Sequence, residues 1–341
     1  GCSATDAILT TNGVNMAYSG NISGTAFNAL KVVDHAFRRC RIPVQAVTGE
    51  MQSYALDSLY LLLSELANIK TPSWCIEKLV LPFYENQPII PLPVGTVEVL
   101  NANYRVIQPV TGTSVYTNTE YTINFGEKTV VNTVGVKWSG VAVPFNIQVS
   151  TDGIAWVTVG SSADTAVAGE ITWTDISGAL AYQYFRISSA QVILYSSVTT
   201  GNNPQEIPFG LLNRDTYVAQ SNKVFPGRPN SFWFQRDLPT PIINVWPAPY
   251  AGAEQAQMIV WRHRHIMDTE NLRQDVEVPQ RWMEAIVCGL AAKVASETPS
   301  VDMNLIPMLD QKYLMARQMA FDGDNDGSPT FIQPSISCYT R

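Results

Sequence analysis

Charge is scarce in this chain of 341 residues: 15% are Asp, Glu, Lys or Arg, and 22 basic residues against 29 acidic ones leave a net −7. Gripping a nucleic-acid backbone takes a basic excess or stripe, and the whole-chain balance runs the other way. Histidine is down to three residues, and the five cysteines, Cys2, Cys40, Cys75, Cys288 and Cys338, are odd in number and far apart. Without CxxC or Cys/His metal spacing they read as reduced, mostly buried thiols, as in a cytosolic product. No run of 18 apolar residues occurs, so no helix is expected to span a bilayer. GxSxG, HExxH and GxxxxGK stretches are missing too, so hydrolase and nucleotide chemistry find no anchor and no enzyme is expected.

What is present is apolar and turn-forming: 46% hydrophobic residues, 21 Pro, 21 Gly and 8 Trp. That composition suits a globular chain with a sizeable core, and the length suits roughly two domains. Residues 1–24 are small and polar without a period and read as an extended arm. Phe27, Leu30, Val33 and Phe37 recur at helical spacing and predict a first helix from about Thr25 to Cys40. Arg38, Arg39 and Arg41 at its end complement the helix dipole. A second helix is expected from Thr48, a plausible N-cap, to about Lys70; its Leu56, Leu59, Leu62, Leu63, Leu66 and Ile69 form a face too broad for a single contact. Ile76–Tyr84 and Pro88–Leu92 read as a hairpin around Glu85-Asn86-Gln87, with a further strand over Val97–Tyr104.

From about Arg105 to Val198 helical period gives way to alternation: Thr119–Phe125, Thr133–Ser139, Phe145–Ser150, Ala155–Gly160, Ile171–Asp175, Tyr182–Ser188 and Gln191–Ser196. Short strands at this spacing with Gly/Asn/Asp turns predict a β-sandwich. The stretch from Phe145 through Asp152-Gly153 to Trp156, followed by Ala181–Ile187, resembles a discoidin-type (coagulation factor 5/8 C-type) module. The resemblance implies a jelly-roll sandwich with Trp156 in its core, and binding of glycans or proteins through loops at one end.

Gly227–His265 carries three apolar runs, Ser231–Arg236, Ile242–Trp246 and Ala256–His265, each with one tryptophan, and predicts a three-stranded antiparallel meander. Helices are expected over Pro279–Glu297, with an inward stripe of Trp282, Ile286, Val287, Leu290 and Val294, and over a segment ending near Phe321, with Leu305, Met308, Leu309, Tyr313, Ala316 and Met319 inward. Gly227-Arg228-Pro229, Phe232-Trp233, Ile242–Trp246 with Pro247-Ala248-Pro249, Val260-Trp261-Arg262 and the Ala-rich helix after them resemble the head-to-tail adaptors of tailed bacteriophages (head-completion, tail accessory or tail tubular proteins). The resemblance covers roughly Ala26–Tyr104 and Glu206–Arg341. It implies a ring, a dodecamer matching the portal, seated in the virion neck and made in the host bacterial cytoplasm. Its partners would be further copies of itself, the portal and the next tail or nozzle component, with DNA passing through unread. The sandwich would project outward toward capsid or tail fibre proteins.

The expected fold class is therefore α+β: a helical adaptor domain with a small antiparallel sheet, interrupted by an inserted all-β sandwich. The expected segments are an arm (1–24), the opening half of the adaptor domain (25–104), the sandwich (105–199), the closing half of the adaptor domain (200–321) and an extended tail (322–341). Asp322, Asp324 and Asp326 copy the opening of an EF-hand loop, but Gln333 stands where the closing Glu belongs, so an acidic turn is the better reading. His263 and His265 alternate with Arg262 and Arg264 along a strand, which places each pair on its own face. With only His35 besides, they suit a polar ladder more than a metal. Portal or subunit contacts are expected from Arg262, Arg264, Asp322, Asp326, Phe331, Tyr339 and Arg341, and no cofactor is expected. The alternative reading makes the sandwich the working element, a glycan- or protein-binding module on a helical scaffold; a cell-wall lytic enzyme is a third.

Overall fold

A computed structural model of the chain describes residues 27–69, 73–176 and 181–324. It falls into two compact units, one formed by the chain up to Lys70 together with Ile266 onward, the other by Thr71–His265. The expected arm over 1–24 and the tail residues Asp326, Phe331, Tyr339 and Arg341 lie outside the described residues.

The first unit opens with α1 (Ala29–Arg39), capped where Asn28 Oδ1 accepts from the Lys31 amide at 3.0 Å. Ala29, Val32, Val33, Ala36 and Phe37 form its buried stripe. The helix ends in a Schellman turn: the Ile42 amide bonds Phe37 O at 3.1 Å, the Arg41 amide bonds Arg38 O at 3.0 Å, and Arg41 takes φ +61°. That left-handed position belongs to glycine in most helices. α2 (Gly49–Ile69) begins where Thr48 Oγ1 accepts from the Met51 amide, and it buries Ala55, Leu59, Leu62, Leu63 and Leu66.

The second unit is built from β1 (Ile76–Pro82), β2 (Ile89–Pro91), β3 (Thr96–Val110), β4 (Thr113–Thr117), β5 (Glu120–Val130) and β6 (Thr133–Trp138). These are followed by β7 (Phe145–Ser150), β8 (Val157–Ser162), β9 (Ile171–Asp175), β10 (Ala181–Ser188) and β11 (Tyr195–Pro208). Then come β12 (Gly210–Leu211), the short α3 (Arg214–Val218), β13 (Pro226–Gly227), β14 (Ser231–Gln235), β15 (Ile242–Trp246), β16 (Ala248–Pro249) and β17 (Ala256–Arg264). A five-stranded sheet in the order β4-β5-β10-β7-β8 faces the β11-β6-β9 portion of a six-stranded sheet, β1-β17-β3-β11-β6-β9. Trp138, Phe145, Ile147, Phe185 and Ile187 fill the space between them. This is a two-sheet β-sandwich, the architecture that the discoidin-type resemblance implies. A second core, with Phe83, Tyr104, Phe232, Ile243, Val245 and Met258, lies where the six-stranded sheet meets the four-stranded sheet β12-β14-β15-β2.

The expected helical domain with a small sheet is overturned: among the described residues strand outweighs helix, 39% to 28%, and every helix longer than five residues belongs to the first unit while the sheets belong to the second. β3 and β11 run without a break through Arg105 and Thr199, pairing along most of their length. A charged residue at position 105 reads as the end of a strand, yet Arg105 is buried inside the ladder and neutralised there by Asp175 and Glu206. The hairpin over 76–92 is corrected as well. β1 pairs with β17 and β2 with β15, so the two strands belong to different sheets. The meander stops after two strands for the same kind of reason. β14 and β15 pair, but Pro247 and Pro249 supply no amide to a ladder, and β17 crosses to the larger sheet between β1 and β3.

The chain returns to the first unit with α4 (Gln280–Glu297) and α5 (Ile306–Gly323), Pro307 lying in the first turn of α5. α4 is apolar nearly all round because it packs on α1, α2 and α5. Gly289 permits that approach: a Cβ there would stand 2.8 Å from both Leu62 and Tyr313. Leu305, Leu309 and Tyr313 of the expected inward stripe are buried, but Met308 and Met319 face solvent.

Candidate binding face

The sandwich turns one face of its five-stranded sheet away from the core. Along β10 the alternation is plain: Phe185 and Ile187 point into the core, so Arg186 and Ser188 point out. Arg186 sits mid-sheet, opposite Thr122 of β5 on one side and Gln148 of β7 on the other. Its guanidinium is held in plane. Nε and Nη2 donate to Gln148 Oε1 at 2.9 and 2.7 Å, and Nη1 donates to Glu120 Oε1 at 3.2 Å. Ser188 Oγ donates to the same Gln148 oxygen, and Gln148 Nε2 reaches Thr158 Oγ1 on β8.

The indole of Trp156 lies against the guanidinium, 4.2 Å from ring centroid to Cζ. A cation over the face of tryptophan is a favourable electrostatic pair, stronger as water is excluded. The β7–β8 turn fixes the indole. Asp152 Oδ1 accepts from the amides of Ile154 and Ala155 at 2.8 and 2.9 Å and from Ser150 Oγ, and these bonds hold its carboxyl below the usual range. Gly153 takes φ +75° in that turn, a left-handed conformation open to glycine without strain. The expectation that Trp156 fills the sandwich core is corrected here. Trp138 and Phe145 occupy that space, and Trp156, one residue before β8, is half-buried on the outer face. The result is a polar surface that sets the Trp156 ring beside a fixed fork of donors and acceptors.

The sites named from the sequence lie elsewhere. Arg262 Nη2 and Arg264 Nε donate to the two carboxylate oxygens of Glu77 at 2.8 and 2.5 Å, and Arg262 Nη1 also donates to Thr96 Oγ1 at 2.7 Å. Both arginines are buried within the second unit. Bulges between Trp261 and Arg262 and between His263 and Arg264 break the strand's parity, so His263 is buried beside them rather than sharing a face with the exposed His265. Burial, with His265 nearby, lowers the His263 pKa. Asp324 pairs with Arg281, and Asp322 accepts from Gln318 Nε2 at 2.9 Å. Among the described residues no group of three or more His, Cys, Asp or Glu is placed to hold a metal. Reasoning from the sequence missed Arg186, Gln148 and Glu120. The alternation of β10 was signal enough to put Arg186 on the outer face, whereas its partners on β5 and β7 follow only from strand register.

No protein-family model matches the chain, and no curated protein sequence does. Among solved structures it is similar to CBM32-1 from a family 31 glycoside hydrolase of Clostridium perfringens, at 11% identity over 40% of this chain and 99% of that one, with a TM-score of 0.23. It is similar to CBM62 from Clostridium thermocellum Xyl5A at 16% identity over 27% and 72%, with a TM-score of 0.21. A match to a glycoside hydrolase, at 15% identity and a TM-score of 0.20, covers 24% of this chain and only 18% of that chain. At such scores these likenesses decide neither what the chain binds nor what it assembles with.

Proposed function

We propose that this chain is a binding protein whose β-sandwich takes a carbohydrate on the outer face of its five-stranded sheet. The observation that carries the reading is Arg186 at mid-face, stacked on Trp156 and held in plane by Gln148 and Glu120. A sugar ring offers an apolar C–H face and a rim of hydroxyls. Such a ligand is matched by an aromatic side chain beside convergent donors and acceptors whose geometry is already fixed. Holding the guanidinium before the ligand arrives lowers the ordering cost of binding. A glycan array probed with the whole chain is expected to show binding that Trp156→Ala and Arg186→Ala each weaken by roughly ten-fold or more, the loss of a buried polar or stacking contact. A silent array, or binding indifferent to both substitutions, removes the reading.

A second reading, the adaptor ring between a phage portal and its tail, is favoured by the outer side of α2. Tyr54, Tyr60 and Leu61 leave 57%, 48% and 55% of their surface exposed on that helix, apolar area of the kind an assembly contact covers. Native mass spectrometry of the chain mixed with the portal of the same genome tests it. Stoichiometric uptake supports the ring, and two species that stay separate count against it.

A further inference from the structure

A groove of about 670 Å³ runs between the end of α1 and one face of α5, with the buried Cys288 of α4 beneath it and Glu284, an exposed carboxylate already paired with Arg39, at its side. Three basic side chains rim it, Arg38 and Arg41 from α1 and its cap and Lys312 from α5, and none of them takes part in an ion pair among the described residues. Arg39 differs: it bonds Glu284 and the Cys288 thiol. Along the far edge Met308, Met315 and Met319 leave 40%, 56% and 75% of their surface in solvent. They recur at a spacing of seven and then four, so they form one stripe of α5. In a chain with net −7, positive charge is gathered around an apolar trough.

Arg41 adds an independent observation. It occupies the left-handed C′ position of the Schellman turn, φ +61°, where glycine would be free of strain. A strained residue kept at a surface turn points to a use for its side chain, and this one stands on the rim of the groove.

We propose that the groove is a docking site for an acidic amphipathic helix of another protein, its apolar side against the methionines and its carboxylates against Arg38, Arg41 and Lys312. Charge complementarity selects the sign of the partner. Flexible, polarizable methionines accept varied apolar anchors, and a trough bordered by helices suits the helix-in-groove mode, with anchors three and four residues apart. The site belongs to the helical unit and does not depend on the sandwich reading.

The test is selection of random 16-residue peptides displayed as an mRNA-linked library on the whole chain. The enriched pool is expected to be rich in Glu and Asp with apolar residues at three- and four-residue spacing. Its members should bind the triple variant R38E/R41E/K312E at least ten-fold more weakly. Arg41→Gly separates the site from the fold: it should raise the thermal midpoint by relieving the turn while weakening the same peptides. Overturning results are an unenriched pool, an enriched pool without acidic bias, or peptides that bind the triple variant undiminished. If the peptides fail but sedimentation shows self-association that the triple variant abolishes, a second copy fills the groove and the proposal is wrong.

Discussion

Replacing Arg105 by alanine is expected to destabilise the strand-rich unit by about 3–5 kcal/mol, the range for breaking a buried ion pair from one side. The Arg105 side chain is 4% exposed. Its Nη1 donates to Asp175 at 2.9 Å, Nε and Nη2 donate to Glu206 Oε1 at 2.9 and 2.7 Å, and Nη1 also reaches Gln257. Gln257 in turn donates to Thr133 Oγ1, so one guanidinium ties β3, β6, β9, β11 and β17 together. Without it, two carboxylates remain close, with Lys78 paired to Asp175 as the remaining cation and a neutral bond from Asn103 to Glu206. Urea unfolding read by tryptophan fluorescence gives the difference; a loss below about 1 kcal/mol, the scale of a solvated surface pair, would mean that water already reaches the network.

The same network sets an acid limit. Burial pulls the Glu206 carboxyl upward, but hydrogen bonds from Asn103 and Arg105 and the nearby positive charge outweigh it and leave the pKa below the ordinary 4.5. Glu77 is likewise raised by burial and lowered further by its bonds to Arg264 and Arg262. A folded-state pKa below the unfolded one contributes stability that is fully present above 4.5 and is lost as pH falls through the depressed value. Stability of this unit should therefore drop below about pH 4.5. In the Arg105→Ala variant the Glu206 share of that slope should shrink, since only the Asn103 bond and the charge of Lys78 still favour its carboxylate, while the Glu77 share stays.

The second large effect belongs to Trp138. Replacing it by alanine should cost about 3–5 kcal/mol, since a buried ring is lost and a cavity is left behind. Trp138 is 1% exposed, its ring lies 6.0 Å from that of Phe145, and its Nε1 donates to Thr172 Oγ1 at 2.8 Å. Thr172 passes the chain on to Asp164 Oδ2 at 2.6 Å. Trp138→Phe should keep most of the packing and forfeit the bond, at a cost of about 1–2 kcal/mol. Trp156→Ala serves as the control. Because Trp156 lies on the outer face, its removal should cost less than about 1 kcal/mol, and a loss equal to that of Trp138 would return Trp156 to the core.

The two tryptophans show where legibility ends. Trp138 stands on a strand whose alternation marks it, yet Trp156 lies one residue before β8, in a turn where period-two reasoning has no purchase. Strand positions from 133 to 188 read well from alternation and turn residues, because each strand is a local pattern. β4, with every residue exposed, carries no such pattern and was missed. The start of α2 was legible through Thr48, since caps are local chemistry too, whereas α1 begins at its Asn28 cap and not near Thr25. The outward stripe of α5 was not, because Met308 and Met319 read as core residues until α4 is seen to cover only the opposite side.

By itself the sequence determined that the chain is globular, that helices flank a strand-rich middle, and that a two-sheet sandwich lies within it. Those follow from interactions between near neighbours in the chain. Only the tertiary structure decided that β3 and β11 run on into the sandwich, that β1 and β17 pair, and that Arg186 meets Trp156, Gln148 and Glu120. Those pairings depend on strand register between residues 30 to 187 positions apart. A buried arginine such as Arg105 is indistinguishable in sequence from one at a strand's end until its carboxylate partners are brought to it.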